Sequence, residues 1–205
     1  MSPTSGTDAG GGRAGRSVLL GNPVVETLAA MVLMSTLTWI GSLVGLVGLF
    51  ALAPPVHRPP WGLLTSVYAH AGPGHLLSNA VVVALAGGLI ARATTRLRFH
   101  AFFVATGVLA GLAQVWLGGL LGRTGAVLGA SGAAFALVGY LLAANPVSSG
   151  VLDRLRLPPR VVVVVAGLIA GGLTLAFSPA GSALVAHFSG ATLGLLAGRL
   201  GLLRV

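Results

Sequence analysis

Four polar side chains stand near the openings of three apolar runs, and together they have the composition of a site for acyl transfer. Ser131 lies in the sequence Gly-Ala-Ser-Gly at 129–132, His187 is near the start of the last run, and His75 and Asn79 are four residues apart near the start of another. A serine hydroxyl becomes a nucleophile when a base takes its proton, and histidine titrates near neutral pH. The amide of Asn79, the ring of His75 and a backbone N–H beside Ser131 are candidate donors to an oxyanion.

The composition around these residues is that of an integral membrane protein. Of the 205 residues, 55% are hydrophobic and 7% are charged, whereas about 25% are charged in a soluble domain. All 12 basic residues are arginines, and they fall in short clusters between apolar runs. Such clusters are typical of topology signals in a protein whose partner is the lipid bilayer, and we expect no nucleic acid.

The apolar runs predict an all-α membrane protein with six transmembrane helices. Residues 1–22 are mostly polar and glycine-rich, so we expect a disordered cytoplasmic tail, followed by a six-helix domain over 23–205. The runs that are long enough for spans cover 28–53, 74–91, 99–121, 128–144, 161–177 and 182–203. The proline-rich stretch 54–73 predicts a loop at the membrane interface.

The arginines predict the orientation of this bundle. Six spans place both termini on one side of the membrane, and ten of the 12 arginines then fall on that side, with Arg58 and Arg123 on the other. The positive-inside rule makes the arginine-rich side cytoplasmic. We therefore expect a multi-pass protein of the cell membrane with cytoplasmic termini.

In this topology the four polar residues share one layer near the extracytoplasmic face. At 1.5 Å per residue, each lies within roughly 10 Å of the outer end of its helix. His187 begins a stripe with Gly190 and Gly194, and such a stripe lets two helix backbones approach closely in lipid. If the stripe packs on the span that carries Ser131, His187 comes within hydrogen-bond reach of the hydroxyl. The glycines at 129 and 132 would leave room for a substrate backbone.

No acidic residue accompanies this layer. Asp8 is in the tail, Glu26 is at the inner end of the first span, and Asp153 is in an inner loop. None of them can reach His187, so the residues predict a Ser-His dyad and not a Ser-His-Asp triad. We also expect no metal and no cofactor.

Three motifs in the chain resemble those of the rhomboid family of intramembrane serine proteases. They stand in the order that the family has, on separate spans. The matched residues are Gly129, Ser131 and Gly132 for GxSG, His70, His75 and Asn79 for HxxxxHxxxN, and His187, Gly190 and Gly194 for HxxGxxxG.

The resemblance implies a six-helix fold in which Ser131 is the nucleophile and His187 the general base. It also implies that Asn79 and His75 are the oxyanion donors. Phe135 stands where the family often has tyrosine, and it keeps the surface that stacks on the catalytic histidine. The implied substrates are transmembrane segments of other proteins, cut near the outer face.

Two alternatives remain open from the residues alone. In one, His70, His75 and His187 form a metal or proton relay in a channel or transporter, which leaves the Gly-Ala-Ser-Gly sequence unexplained. In the other, the chain is a catalytically inactive relative that binds membrane helices. The role of His70 is also open, since it is either a residue of the interfacial loop or one that shapes the site.

Overall fold

The computed structural model describes residues 21–46, 48–120, 125–145, 150, 154–155, 157–179 and 181–204. Within these ranges the regular secondary structure is helical, and an isolated antiparallel bridge joins Leu52 to Val127. The predicted all-α class is therefore confirmed. Most of the predicted tail, residues 1–20, lies outside the described residues.

The helices follow the apolar runs of the sequence. In chain order they are α1 (Pro23–Leu43), α2 (Gly62–Tyr68), α3 (Pro73–Ala91), α4 (Arg96–Leu120), α5 (Ser131–Ala144), α6 (Pro159–Phe177) and α7 (Leu184–Arg199). Among the described residues, α1, α3, α4 and α6 are long and apolar enough to cross a membrane. Helix α5 has 14 residues and α7 has 16, fewer than the roughly 20 that a full span needs. The count of six spans stays a prediction.

Helix α1 ends well before the end that hydropathy predicts. Its N-terminus is capped by Asn22, whose side-chain oxygen accepts from the N–H of Val24 at 2.9 Å. At the other end Gly45 has a φ of +82°, and the N–H of Leu46 bonds to the carbonyl of Gly41 at 2.8 Å. This turn stops the helix although the sequence stays apolar. The predicted end at residue 53 was wrong because hydropathy does not detect such a turn.

The segment between α1 and α3, residues 44–72, is here named the first connection. Much of it is packed into the bundle, since Leu52, Val67 and His70 are each no more than 2% exposed. The indole N–H of Trp39 in α1 donates to the carbonyl of His70 at 2.8 Å. The prediction of an interfacial loop over 54–73 was therefore incomplete, because this stretch contains helix α2 and its residue Val67 belongs to the core.

Helix α5 is the centre of the bundle, and its closest partner is α7. The buried residues of α5 are Gly132, Ala133, Ala134, Ala136, Leu137, Gly139, Tyr140 and Ala143. A Cβ atom built on Gly190 of α7 would overlap the carbonyl of Gly132, and one built on Gly194 would overlap that of Ala136. The predicted packing of the glycine stripe on this helix is confirmed.

The opposite end of α5 carries the charged groups. Glu26 of α1 accepts from the side chains of Arg96 and His100 in α4, each at 2.8 Å. Nearby, Arg98 donates to the carbonyl of Arg204, and the Arg204 side chain donates to the carbonyl of Ala144 at the end of α5. These contacts join α1, α4, α5 and the segment after α7 at one end of the bundle.

Candidate active site

Ser131 is the first residue of α5, and the turn before it is held by the first connection. Gly129 has a φ of +130°, which favours glycine, and its N–H donates to the carbonyl of Ser66 at 2.8 Å. The N–H of Ala130 donates to Nε2 of His70 at 3.2 Å. Two backbone hydrogen bonds between Leu52 and Val127 support the same segment slightly earlier. The position of Ser131 thus depends on residues about 60 to 80 positions away in sequence.

His70 has both ring nitrogens occupied. Because Nε2 accepts from Ala130, the proton lies on Nδ1, which donates to the carbonyl of Tyr68 at 3.0 Å and contacts Oγ of Ser35 at 3.0 Å. Burial, together with the nearby His75, lowers the pKa of His70 to about 4. The ring is therefore neutral at physiological pH, and His70 shapes the site by holding the turn that precedes Ser131.

Replacing His70 by leucine should lower the stability of the protein by about 1–3 kcal/mol, because the N–H of Ala130 would be left buried without an acceptor. Chemical unfolding in detergent measures this change. The matched control is His57→Leu, since His57 is exposed in the same first connection and its replacement should leave the unfolding curve unchanged. Equal curves for the two variants would contradict the role given to His70.

Ser131, His187, His75 and Asn79 line one cavity of about 1310 Å³. The structure therefore brings together the four residues that the sequence singled out, from helices α3, α5 and α7. Helix α6 closes part of the cavity through residues near its C-terminal end, among them Phe177. The walls are mainly apolar, so the few polar groups are the sites at which a ligand could be oriented.

His187 is 5% exposed and is held by two contacts. Its ring stacks on that of Phe135, with centroids 4.5 Å apart and planes 10° apart, as the resemblance implies. Its Nδ1 lies 2.6 Å from Oγ of Ser178. No hydrogen bond joins the two described residues His187 and Ser131, and such bonds commonly tighten only when substrate is bound.

His75 and Asn79 occupy the wall beside the Ser131 turn. A Cβ atom built on Gly129 would lie 2.6 Å from Cε1 of His75, so this ring packs directly on the turn. One N–H of the Asn79 amide donates to the carbonyl of His75 at 2.9 Å. An amide group has two such hydrogens, so the second is left for a ligand in the cavity.

Gly129 and Gly132 serve close packing. The ring of His75 fills the space in which a side chain at Gly129 would lie, and a Cβ atom on Gly132 would come within 2.5 Å of Cβ of Ala110 in α4. Their small size brings α4 and His75 close to α5. Both glycines also line the cavity, and that they leave room for a substrate stays a prediction.

Gln114 of α4 is a cavity residue that was not predicted from the sequence. Its Oε1 accepts from the N–H groups of Val185 and Ala186 at 3.1 and 3.2 Å. No side chain within α7 caps this N-terminus, so Gln114 caps it from a neighbouring helix and fixes the turn that carries His187. An amide inside an otherwise apolar span was the available signal.

Comparison with known families identifies the fold to which this site belongs. A model of the Rhomboid domain matches residues 57–204, which is more than half of the chain and includes every residue of the three motifs. Comparison with curated proteins gives no match. Because the domain match covers most of the chain, the chain belongs to the rhomboid family.

Proposed function

We propose that this protein is an intramembrane serine endopeptidase that hydrolyses peptide bonds in or near the transmembrane segments of other membrane proteins. The observation that carries the proposal is the single cavity lined by Ser131, His187, His75 and Asn79 in a chain of the rhomboid family. The substrate class and the roles of Ser131 and His187 come from the family resemblance. The contacts of His187 and Asn79 support the roles proposed for these two residues.

In the proposed reaction, Oγ of Ser131 attacks the carbonyl carbon of the scissile peptide bond. His187 takes the hydroxyl proton through Nε2, because Nδ1 is engaged by Ser178. It then gives this proton to the leaving amine, and water hydrolyses the acyl-enzyme in the same manner. The products are two peptides, and the enzyme returns to its starting state.

The oxyanion of the tetrahedral intermediate needs hydrogen-bond donors that already face it and are not engaged by another acceptor. The second N–H of Asn79 and a ring N–H of His75 are candidates, as is the backbone N–H of Ser131 at the N-terminus of α5. The N–H of Ala130 is not among them, since it already donates to His70.

The proposed dyad works without a carboxylate. Glu26 is the only acidic residue in the described part of the chain, and it is paired with Arg96 and His100 at the other end of the bundle. Asp8 and Asp153 lie outside the described residues. A neutral partner for His187 also suits a site in a low-dielectric environment, where an unpaired charge is costly.

The length of α5 supports a site below the membrane surface. Its 14 residues span about 21 Å, whereas the hydrocarbon core is about 30 Å thick. We place the end of α5 near Arg98 and Arg204 at the cytoplasmic interface, so Ser131 lies roughly 9 Å below the outer edge of the hydrocarbon. The cavity then opens toward the extracytoplasmic face, with both termini in the cytoplasm.

The contacts of His70 weigh against the histidine relay of a transporter. Both of its ring nitrogens are hydrogen-bonded within the protein, so metal binding or proton transfer through His70 would break the turn before Ser131. The remaining alternative is an inactive relative that binds membrane helices. It differs from the proposal only in that it does not cleave the bound helix.

Labelling with a fluorophosphonate and cleavage of a reconstituted transmembrane substrate test the proposal together. We expect the wild type to be labelled and to cut the substrate, and Ser131→Ala to lose both activities. A chelator should change neither. Labelling that persists in Ser131→Ala, or a wild type that binds the substrate without cutting it, would contradict the proposal.

Asn79→Ala should lower kcat by about 10² to 10³-fold with little change in KM, because it removes a donor that acts mainly on the transition state. The variant also removes a side-chain bond to the carbonyl one turn earlier. Thr36→Ala is the control for that loss, since Thr36 makes the same kind of bond on the exposed side of α1. If both variants keep wild-type kcat, Asn79 is not an oxyanion donor.

A further inference from the structure

The hydrogen bond between Ser178 and His187 has no counterpart in the three sequence motifs. Ser178 directly follows α6, and its Oγ lies 2.6 Å from Nδ1 of His187. We propose that Ser178 is a positioning residue that holds the imidazole of His187 in the one ring orientation that directs Nε2 toward Ser131. This inference rests on the proposed function, because it concerns the base of that reaction.

Stacking alone does not fix the orientation of the ring. Phe135 holds the plane of the imidazole, but a half-turn about the Cβ–Cγ bond keeps the same plane and exchanges Nδ1 with a carbon atom. Such a flip would leave Oγ of Ser178 facing that carbon and break the hydrogen bond. The stack and the hydroxyl together therefore leave one orientation, in which Nε2 is the ring nitrogen with no hydrogen bond to a residue that the structure describes.

The backbone of Ser178 and of the residues that follow it is constrained. Ser178 is extended, with φ of −106° and ψ of 116°, which is the conformation that a following proline favours. The carbonyl of Pro179 accepts from the N–H of Ser182 at 3.2 Å and from its Oγ at 2.6 Å. The sequence Ser-Pro thus sets the Ser178 backbone, and the turn after it anchors the segment.

The hydroxyl of Ser178 can accept a hydrogen bond from His187 both when the imidazole is neutral and when it is protonated. When Nε2 is ready to accept a proton, Nδ1–H donates to Oγ of Ser178, and the same bond persists after Nε2 has taken the proton of Ser131. Ser178 keeps its own proton throughout, because the transferred proton passes from Ser131 to Nε2 and then to the leaving amine. A hydroxyl can accept in this way without bringing a charge into the site.

The test compares Ser178→Ala, Ser178→Thr and wild type in the full-length protein reconstituted with a transmembrane substrate. A hydrogen bond to a charged group is worth about 10 to 100-fold in rate, so we expect Ser178→Ala to lower kcat by that factor and to change KM by less than about twofold. Ser178→Thr keeps the hydroxyl and should restore kcat to within about threefold of wild type. Ser42→Ala is the control, since the Ser42 side chain donates to the carbonyl of Thr38 within α1 and lies outside the cavity.

A second readout does not depend on turnover. In protein labelled with ¹⁵N-histidine, the resonances of His187, identified by their loss in His187→Gln, should move in Ser178→Ala and return in Ser178→Thr. Unchanged resonances and unchanged kcat in Ser178→Ala would overturn the positioning role. A wild type that does not cleave its substrate would instead count against the proposed function, whatever the resonances show.

Discussion

Ser131→Ala and His187→Ala should each lower the rate of substrate cleavage by about 10⁴ to 10⁶-fold, and the double variant should be no slower than either single one. The proposed mechanism gives the two groups one joint task, since the hydroxyl attacks only as the imidazole takes its proton. Removing either partner therefore removes the whole contribution. Single-turnover rates with a reconstituted transmembrane substrate, measured for the four proteins of this cycle, provide the comparison.

Two variants outside the cavity control for these losses. Ser42→Ala and His57→Ala remove the same side-chain types at exposed positions and should cleave at the wild-type rate. Losses that add in the double variant would mean that Ser131 and His187 act independently, contrary to the dyad. Residual cleavage by Ser131→Ala at more than about a thousandth of the wild-type rate would point to a different nucleophile.

Gly194→Ala should strongly destabilise the bundle. The added Cβ atom would overlap the backbone of Ala136, and a helix backbone cannot yield as the end of a flexible side chain can. Helices α5 and α7 would have to move apart, at a cost of about 1–3 kcal/mol or more. We expect a lower midpoint of thermal unfolding in detergent, and slower cleavage because His187 moves away from Ser131 with its helix.

Gly172→Ala in α6 is the matched control for this substitution. A Cβ atom at Gly172 would meet nothing within 4 Å, so the same chemical change occurs there without overlap. The control should unfold at the wild-type midpoint or slightly above it, since alanine favours the helix. If the two variants unfold alike, the close contact of α7 with α5 is not what holds this pair of helices together.

The part of the site that the sequence predicted comes from short-range patterns. Positions four residues apart share a helix face, which is why the fit of Gly190 and Gly194 against α5 could be anticipated. The stack of Phe135 on His187 was expected from the family resemblance. Hydropathy located the long helices because a span needs a continuous run of apolar residues, which is also a local pattern. Their exact ends could not be obtained in this way, because the turn at Gly45 depends on backbone conformation.

The supports of the site escaped prediction because they join distant parts of the chain. The amide of Gln114 caps a helix that begins some 70 residues later, and His70 accepts from a backbone N–H that lies 60 residues away. No spacing rule links such positions before the fold is known. The contact of Ser178 with His187 escaped prediction as well, because it depends on how the segment after α6 folds back onto α7.

The long sequence separations within the proposed dyad bear on biosynthesis. The turn at Ser131 needs His70 from the first connection, which is translated before it. His187 is translated more than fifty residues after Ser131. A polypeptide still emerging from the ribosome therefore holds a serine without its base until α7 has been translated and inserted. Under the proposed mechanism, we therefore expect no cleavage of neighbouring proteins until α7 has inserted into the membrane and packed on α5.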